Sequence, residues 1–149
     1  MVIKAAISDH IILSEITKSS KAYWGYSTEQ MALWDEELTI TPTYIEQNMV
    51  YKFMQDKNPI AYYSLIKISA TIIKLDNLFV IPQHIGKGVG KILLDDILIR
   101  SVNMGFNEII LDADPNAYLF YKKNGFKIIG QKETSIKNRY LQVMQKKLT

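Results

Sequence analysis

A cluster of glycines lies between an apolar run and a helix-like run, and it constrains the fold more than any other feature. Three of the seven glycines, Gly86, Gly88 and Gly90, fall within five residues. The strand-like run from Leu75 to Ile81 precedes them, and the run from Val89 to Met104 has helical periodicity. A helix N-terminus carries unpaired N–H groups and partial positive charge, and glycine lets a phosphate approach the backbone closely. The segment therefore predicts a strand–loop–helix unit that binds a phosphate-bearing ligand.

The composition is that of a folded protein of ordinary size. The 149 residues are 48% hydrophobic and 22% charged, which predicts one globular domain over residues 1–149. A net charge of +3 on scattered basic residues argues against a nucleic-acid surface. No apolar run reaches the roughly 20 residues that cross a membrane, and the N-terminus lacks a signal-peptide pattern. With no cysteine and only two distant histidines, we expect a cytoplasmic protein without a metal site.

The order of secondary-structure signals predicts a mixed α/β fold. Ser27 with Gln30 matches a capping box, and Thr41-Pro42 matches a capped helix start. Segments rich in β-branched and aromatic residues then predict an antiparallel meander. The predicted strands are 2–7, 49–55, 60–68, 71–81, 108–113, 126–129 and 140–147, and the predicted helices are 9–18, 27–38, 41–48, 89–104 and 117–124.

Three local expectations accompany this order. Residues 19–27 are expected to form a loop or a frayed helix end. The strand Glu108–Ala113 is expected to be buried on both faces if its neighbour is parallel. Asn116, which follows a proline and precedes a short helix, has the pattern of a helix N-cap.

Spacing excludes two common phosphate-binding loops. A Walker-type loop needs Gly, four residues and then Gly-Lys-Ser/Thr, but Ile85 and Ile92 occupy the first and last of these positions. The dinucleotide fingerprint Gly-x-Gly-x-x-Gly fails in both registers, because Lys91 and Leu93 stand where the third glycine is required. The loop therefore belongs to another class of phosphate site.

Two motifs together resemble the signatures of the GNAT superfamily of N-acetyltransferases. The family's acetyl-CoA loop is similar to Gln83-x-x-Gly86-x-Gly88-x-Gly90. Its second signature, Asn-Ala-x-x-Phe-Tyr-x-x-x-Gly-Phe, is similar to the segment 116–126. The close resemblance covers about residues 71–129. It implies a GNAT-like single domain of α+β type, whose mixed, mostly antiparallel central sheet splays between two parallel strands and is flanked by helices.

The resemblance implies direct transfer of an acetyl group from acetyl-CoA to a primary amine of a small molecule or peptide. The pyrophosphate of coenzyme A would lie on the backbone amides of residues 86–91, and the pantetheine arm beside the strand that ends near Val80. A backbone amide near Phe79 would polarise the thioester carbonyl. The residues implied in binding acetyl-CoA are Leu78, Phe79, Val80, Gln83, Gly86, Lys87, Gly88, Val89, Gly90, Lys91, Asn116 and Tyr121.

Proton transfer and acceptor binding are assigned from the same resemblance. Tyr121 matches the family's general acid, and a phenol with a pKa near ~10 can protonate a departing thiolate. Asp112 and Asp76 are the candidate general bases, with water as the alternative. The candidate acceptor residues are Trp24, Tyr26, Glu36 and Glu37. The two glutamates are expected on the second helix. Trp34, in the same region, is expected to be a core residue.

Two functional classes stay open at this level. The first is an acetyl-CoA-dependent N-acetyltransferase, and the second is a non-catalytic module that binds acyl-CoA as a sensor or scaffold. A donor longer than acetyl also fits, because the sequence does not define the volume around the thioester. Homodimers are common in the family, but no feature of this chain selects an oligomeric state.

Overall fold

The structure is a computed structural model that describes residues 1–148. A mixed sheet of seven strands is accompanied by five α-helices over these residues. The strands are β1 (Val2–Lys4), β2 (Met49–Gln55), β3 (Asn58–Lys67), β4 (Ile72–Val80), β5 (Glu108–Ala113), β6 (Lys127–Glu133) and β7 (Tyr140–Lys147). The helices are α1 (His10–Ala22), α2 (Thr28–Leu33), α3 (Pro42–Gln47), α4 (Val89–Asn103) and α5 (Tyr118–Lys123).

The sheet has the order β1-β2-β3-β4-β5-β7-β6. The pairs β1–β2, β2–β3, β5–β7 and β6–β7 are antiparallel. Strands β4 and β5 are parallel, and their register joins Ile72–Lys74 to Glu108–Ile110. The described pairing is thus confined to the first three residues of each strand, although both strands continue further. The predicted mixed, mostly antiparallel sheet with one parallel pair is confirmed.

The chain divides into two compact units, each made of two stretches of sequence. The first unit contains Met1–Leu65 and Asn77–Ile97. The second contains Ile66–Asp76 and the residues from Leu98 to the end of the described chain. Strands β3 and β4 and helix α4 therefore contribute residues to both units.

The core of the first unit joins helix α1 to strands β2 and β3. Its buried side chains come from helical positions three apart on α1, Leu13 and Ile16, and from neighbouring strands. Phe79 and Ile81, at the end of β4, pack against this core. The buried cluster consists of Ala5, Leu13, Ile16, Ile40, Ile45, Val50 and Tyr62.

The two predicted helix starts in the first unit are confirmed. The Ser27 hydroxyl accepts a hydrogen bond from the Gln30 N–H at 3.0 Å, and the Thr41 hydroxyl accepts one from the Tyr44 N–H at 3.1 Å. Such caps pair backbone donors that a helix start otherwise leaves unsatisfied. The sequence therefore determines where α2 and α3 begin.

The predicted ends of the N-terminal elements are partly wrong. Helix α1 continues to Ala22, through part of the stretch expected to be a loop, and α2 ends at Leu33 rather than near residue 38. After α2 the chain turns, because the Leu38 N–H bonds to the Trp34 carbonyl at 2.9 Å. Glu36 and Glu37 consequently lie in this turn and are exposed, not on a helix as expected.

Strand β1 ends at Lys4, earlier than predicted, because Asp9 organises a turn after it. The Asp9 carboxylate accepts the Ala6 N–H at 2.7 Å and forms an ion pair with Lys52 at 2.8 Å. A short 3-10 helix over Ile7–Asp9 results, and it leads directly into α1.

The second unit contains the paired strands β5, β7 and β6 and the short helix α5. Strand β5 does not bury both faces: Ile109, Leu111 and Ala113 are buried, whereas the alternate residues are half-buried. This alternation is typical of a strand with one better-covered face. Helix α5 is followed by a turn at Gly125, whose φ of +91° is a conformation that favours glycine.

Residues 1–148 contain neither a membrane-spanning helix nor a cluster of possible metal ligands. None of the helices there has the length and apolar character that a membrane crossing requires. The same residues contain no group of three His, Asp or Glu side chains placed to share a metal ion.

Candidate active site

The glycine loop lies in the first unit, directly before α4. Gly86 and Gly88 have φ values of +81° and +84°, which residues with side chains rarely adopt. A Cβ atom built on either glycine would meet no atom within 4 Å beyond its chain neighbours, so the space where a side chain would project is open at both. Helix α4 begins at Val89, immediately after the second of these residues. The predicted strand–glycine loop–helix unit is confirmed.

The start of α4 leaves backbone N–H groups beside open space. The Ile92 N–H bonds to the Gly88 carbonyl at 3.2 Å, and this bond starts the helix. The N–H groups that precede Ile92 lie in the first turn, where an α-helix provides no carbonyl to accept them. Open space at the glycines gives an anion access to these donors. Lys87 is exposed, and Lys91 forms an ion pair with Asp95 four residues on, as the spacing predicts.

The end of β4 presents backbone groups on the edge away from β3. The Ile81 N–H bonds to the Ile60 carbonyl of β3 at 2.9 Å. Because successive N–H groups of an extended chain point to opposite sides, the N–H of Val80 leaves β4 on the other edge. Leu78, Phe79 and Val80 are half-buried. This edge offers the N–H groups that a carbonyl oxygen or a pantetheine arm requires.

A hydrogen-bonded trio holds the middle of β4 in place. The Asn77 side-chain amide donates to the Ser64 hydroxyl at 3.0 Å and to the Tyr44 hydroxyl at 3.2 Å. Tyr44 and Ser64 are themselves 2.8 Å apart. The trio ties α3 and β3 to the part of β4 that precedes Leu78. Sequence reasoning did not find it, because no local pattern joins residues so far apart in the chain.

Tyr121 lies in the second unit on α5 and is 8% exposed. Its ring contacts Phe126 edge-on at a centroid distance of 5.5 Å and Phe120 at 5.2 Å. Burial raises the pKa of the Tyr121 phenol above its ordinary value of 10.0. The phenol is therefore protonated at neutral pH, which is the state that a proton donor needs.

Asn116 lies in the turn that leads into α5, and its expected role as N-cap is wrong. Ala117 occupies the cap position and has no capping side chain. The Asn116 side-chain amide donates to the Asp114 carboxylate at 2.9 Å, and so does its backbone N–H at 2.9 Å. The exposed Asn116 side chain is thus fixed by an Asx turn.

The two candidate bases differ in their surroundings. The Asp112 carboxylate lies 3.2 Å from the Lys74 ammonium group and 3.7 Å from that of Lys132. Asp76 lies on β4 and is exposed. Asp76 is therefore the more accessible of the two carboxylates to water, since the Asp112 side chain is 21% exposed.

The candidate acceptor residues fall into separate groups in the first unit. Tyr26 contacts Trp34 edge-on at 4.8 Å, and the Lys21 ammonium group lies 5.5 Å and 5.1 Å from their ring centroids. Trp34 is buried, as expected for a core residue. Trp24 is 45% exposed and contacts Tyr23. The rings of Tyr26 and Trp34 thus form a cation–π contact with the Lys21 ammonium group.

The assigned residues fall in both units. The glycine loop, residues 78–80 and the four acceptor candidates belong to the first, whereas Asp76, Asp112, Asn116 and Tyr121 belong to the second. In the first unit Tyr26 contacts Trp34, and in the second unit Asn116 bonds to Asp114.

A family model for the GNAT acetyltransferase domain matches residues 14–148, which is most of the chain. The chain belongs to the GNAT family. Membership in this family is what the two motifs predicted, and the motifs lie on the loop and helix expected for them.

Relatives of this GNAT protein agree with the assignment. A Bacillus subtilis protein described as the uncharacterized N-acetyltransferase YjcF is 33% identical over 60 residues, which are 40% of this chain and 43% of that protein. The match therefore spans less than half the length of this curated relative.

Solved structures show the same fold. PaiA N-acetyltransferase from Thermoplasma acidophilum, solved in complex with coenzyme A, has a TM-score of 0.81 and 23% identity, covering 99% of this chain and 98% of that one. A GCN5-related N-acetyltransferase from Rhodopseudomonas palustris has a TM-score of 0.81 and 20% identity, covering 99% and 94%. At these identities the likeness concerns the fold alone.

Sequence reasoning also missed Arg139, which forms an ion pair with Asp114. The Asp-Pro-Asn sequence signals an Asx turn at Asp114. Nothing near Arg139 in the sequence indicates a partner 25 residues away.

Proposed function

We propose that this GNAT protein transfers an acetyl group from acetyl-CoA directly to a primary amine of a small molecule or peptide. The observation that carries the proposal is the loop geometry: two glycines with positive φ, each with open space where a side chain would project, immediately before α4. Backbone donors in this arrangement suit the pyrophosphate of coenzyme A. The donor supplies an acetyl group that its thioester makes reactive toward amines.

The first unit would bind and orient the donor. Residues 86–91 would hold the pyrophosphate through backbone N–H groups, with Lys87 adding positive charge near it. The Val80 N–H, on the edge of β4 away from β3, would donate to the acetyl carbonyl oxygen and stabilise negative charge there. The trio of Asn77, Ser64 and Tyr44 would keep this part of β4 in position.

The second unit would supply the proton transfers. Tyr121 would donate its phenolic proton to the departing sulfur, a role that suits a phenol kept neutral by burial. Of the two candidate bases we assign Asp76, because its side chain is exposed to solvent, whereas that of Asp112 is 21% exposed. Asp76 would take a proton from the acceptor amine through water. Asn116 would contact the donor.

The acceptor would be a cationic amine in its resting state. Exposed Glu36 and Glu37 would attract it, and the aromatic residues Trp24 and Tyr26 would contact its carbon chain or its ammonium group. The Lys21 ammonium group beside Tyr26 and Trp34 illustrates this mode of contact within the chain itself.

The experiment is a product screen. The protein is incubated with acetyl-CoA and a panel of polyamines, amino acids and peptides, and mass spectrometry detects added acetyl groups while a thiol reagent detects free coenzyme A. We expect acetylated amine and coenzyme A in equal amounts. Binding of acetyl-CoA without any product across the panel would favour the sensor or scaffold role instead.

A further inference from the structure

The carboxylate and carbonyl of Asp114 organise the turn between β5 and α5. One carboxylate oxygen accepts both the backbone N–H and the side-chain amide of Asn116, each at 2.9 Å. The Asp114 carbonyl accepts the N–H groups of Ala117 at 2.8 Å and Tyr118 at 3.1 Å. One residue thus positions Asn116 and also starts α5, the helix that carries Tyr121.

The second carboxylate oxygen of Asp114 accepts a hydrogen bond from the Arg139 guanidinium group. Both side chains are shielded from solvent, with 12% of Arg139 and 20% of Asp114 exposed. Shielding strengthens a charge-assisted hydrogen bond compared with one on the surface. Arg139 belongs to the loop between β6 and β7, so the bond joins two loops of the second unit.

The loop that carries Arg139 is held by its own hydrogen bonds. The Thr134 hydroxyl donates to the Arg139 carbonyl at 2.9 Å and accepts the Ile136 N–H at 3.2 Å. The Arg139 N–H bonds to the Ile136 carbonyl at 3.1 Å. The guanidinium group therefore extends from a constrained backbone, which lets it fix the orientation of the Asp114 carboxylate.

From this arrangement we propose that Arg139 and Asp114 form a positioning pair, which orients Asn116 and thereby sets the affinity for coenzyme A. The inference rests on the proposed function, because Asn116 is assigned there to the donor. Arg139 acts through Asp114 and does not itself touch the ligand. The β6–β7 loop consequently controls donor binding from a distance.

The test is a double-mutant cycle in which coenzyme A binding is measured by calorimetry. We expect Arg139→Gln to weaken binding about tenfold, in keeping with the loss of a hydrogen bond to a charged group. In an Asn116→Ala background the same change should alter binding by less than about twofold, because the side chain that the pair orients is gone. Arg139→Lys, which retains the charge, should keep binding within about threefold of wild type.

Lys137→Gln is the matched control, since it removes one positive charge from the same loop at an exposed position. It should leave coenzyme A affinity unchanged. Thermal melts of every variant show whether a loss of coenzyme A affinity is accompanied by a loss of folding stability. The positioning role would be overturned if Arg139→Gln bound coenzyme A as tightly as wild type. It would also be overturned if Arg139→Gln weakened binding equally in the Asn116→Ala background. Wild-type protein that binds no coenzyme A would instead contradict the proposed function.

Discussion

The Lys74 ammonium group lies 3.2 Å from the Asp112 carboxylate. In the parallel pairing of β4 and β5, Lys74 is opposite Ile110, and Asp112 comes two residues after Ile110. The contact joins β4 to β5 just where their parallel pairing ends. Lys132 of β6 approaches the same carboxylate at 3.7 Å. Asp112 therefore helps to hold the second unit together, and its side chain is less exposed than that of Asp76.

Asp76→Asn should lower kcat by about a hundredfold, within the usual range for the loss of a general base. Asp112→Asn should change kcat by less than about threefold and should lower the unfolding midpoint, because Lys74 loses its charged partner. Steady-state rates and urea unfolding of both variants provide the comparison. The reverse ranking of the two kcat values would assign the base to Asp112.

Tyr121→Phe should lower kcat by at least about a hundredfold while the dissociation constant of coenzyme A changes by less than about twofold, because the ring contacts are kept and only the proton donor is lost. Tyr118→Phe, on the same helix, is the control and should retain normal turnover. A Tyr121→Phe enzyme with wild-type kcat at every pH would remove this residue from the mechanism.

Burial of Tyr121 predicts a loss of stability at high pH. Its pKa is raised in the folded state, so above about pH 10 the unfolded chain releases this proton while the folded chain retains it. The stabilisation is complete below pH 10 and is lost as the pH rises beyond it. Urea unfolding at about pH 9 and about pH 11 should show a smaller loss for Tyr121→Phe than for wild type. Equal losses would contradict the assigned effect of burial.

Two buried serines should respond oppositely to alanine substitution. The Ser101 hydroxyl is buried with no hydrogen-bond partner among residues 1–148, so Ser101→Ala should leave stability unchanged or raise it by about 1 kcal/mol. Ser64 bonds to Tyr44 and Asn77, so Ser64→Ala should lower stability by about 1–2 kcal/mol. Chemical denaturation measures both, and destabilisation by Ser101→Ala would indicate a partner for its hydroxyl.

The features predicted well from the sequence are those with local physical causes. Ser27 and Thr41 start helices because their side chains cap N–H groups three residues away. The glycine loop follows from the backbone freedom that Gly86 and Gly88 provide. The predicted strand over residues 108–113 coincides with β5, because Gly105 precedes its apolar run and Pro115 follows it.

The features predicted poorly depend on contacts between distant residues. The predicted helix over residues 27–38 extends past the end of α2 at Leu33, because helical periodicity carries no information on the turn between Trp34 and Leu38. The assignment of Asn116 as a cap overlooked Asp114, which binds its side chain. No local pattern points to Arg139, since its partner lies 25 residues earlier in the chain.

Calorimetry of coenzyme A binding to Gly88→Glu and Gly105→Glu tests the central claim most directly. Both glycines have positive φ, +84° and +91°, and both have open surroundings, so the two changes impose the same kind of backbone strain. Only Gly88 belongs to the proposed pyrophosphate loop, where a glutamate adds bulk and negative charge. We expect Gly105→Glu to bind coenzyme A like wild type and Gly88→Glu to show no binding. Wild-type affinity in a folded Gly88→Glu protein would contradict the account.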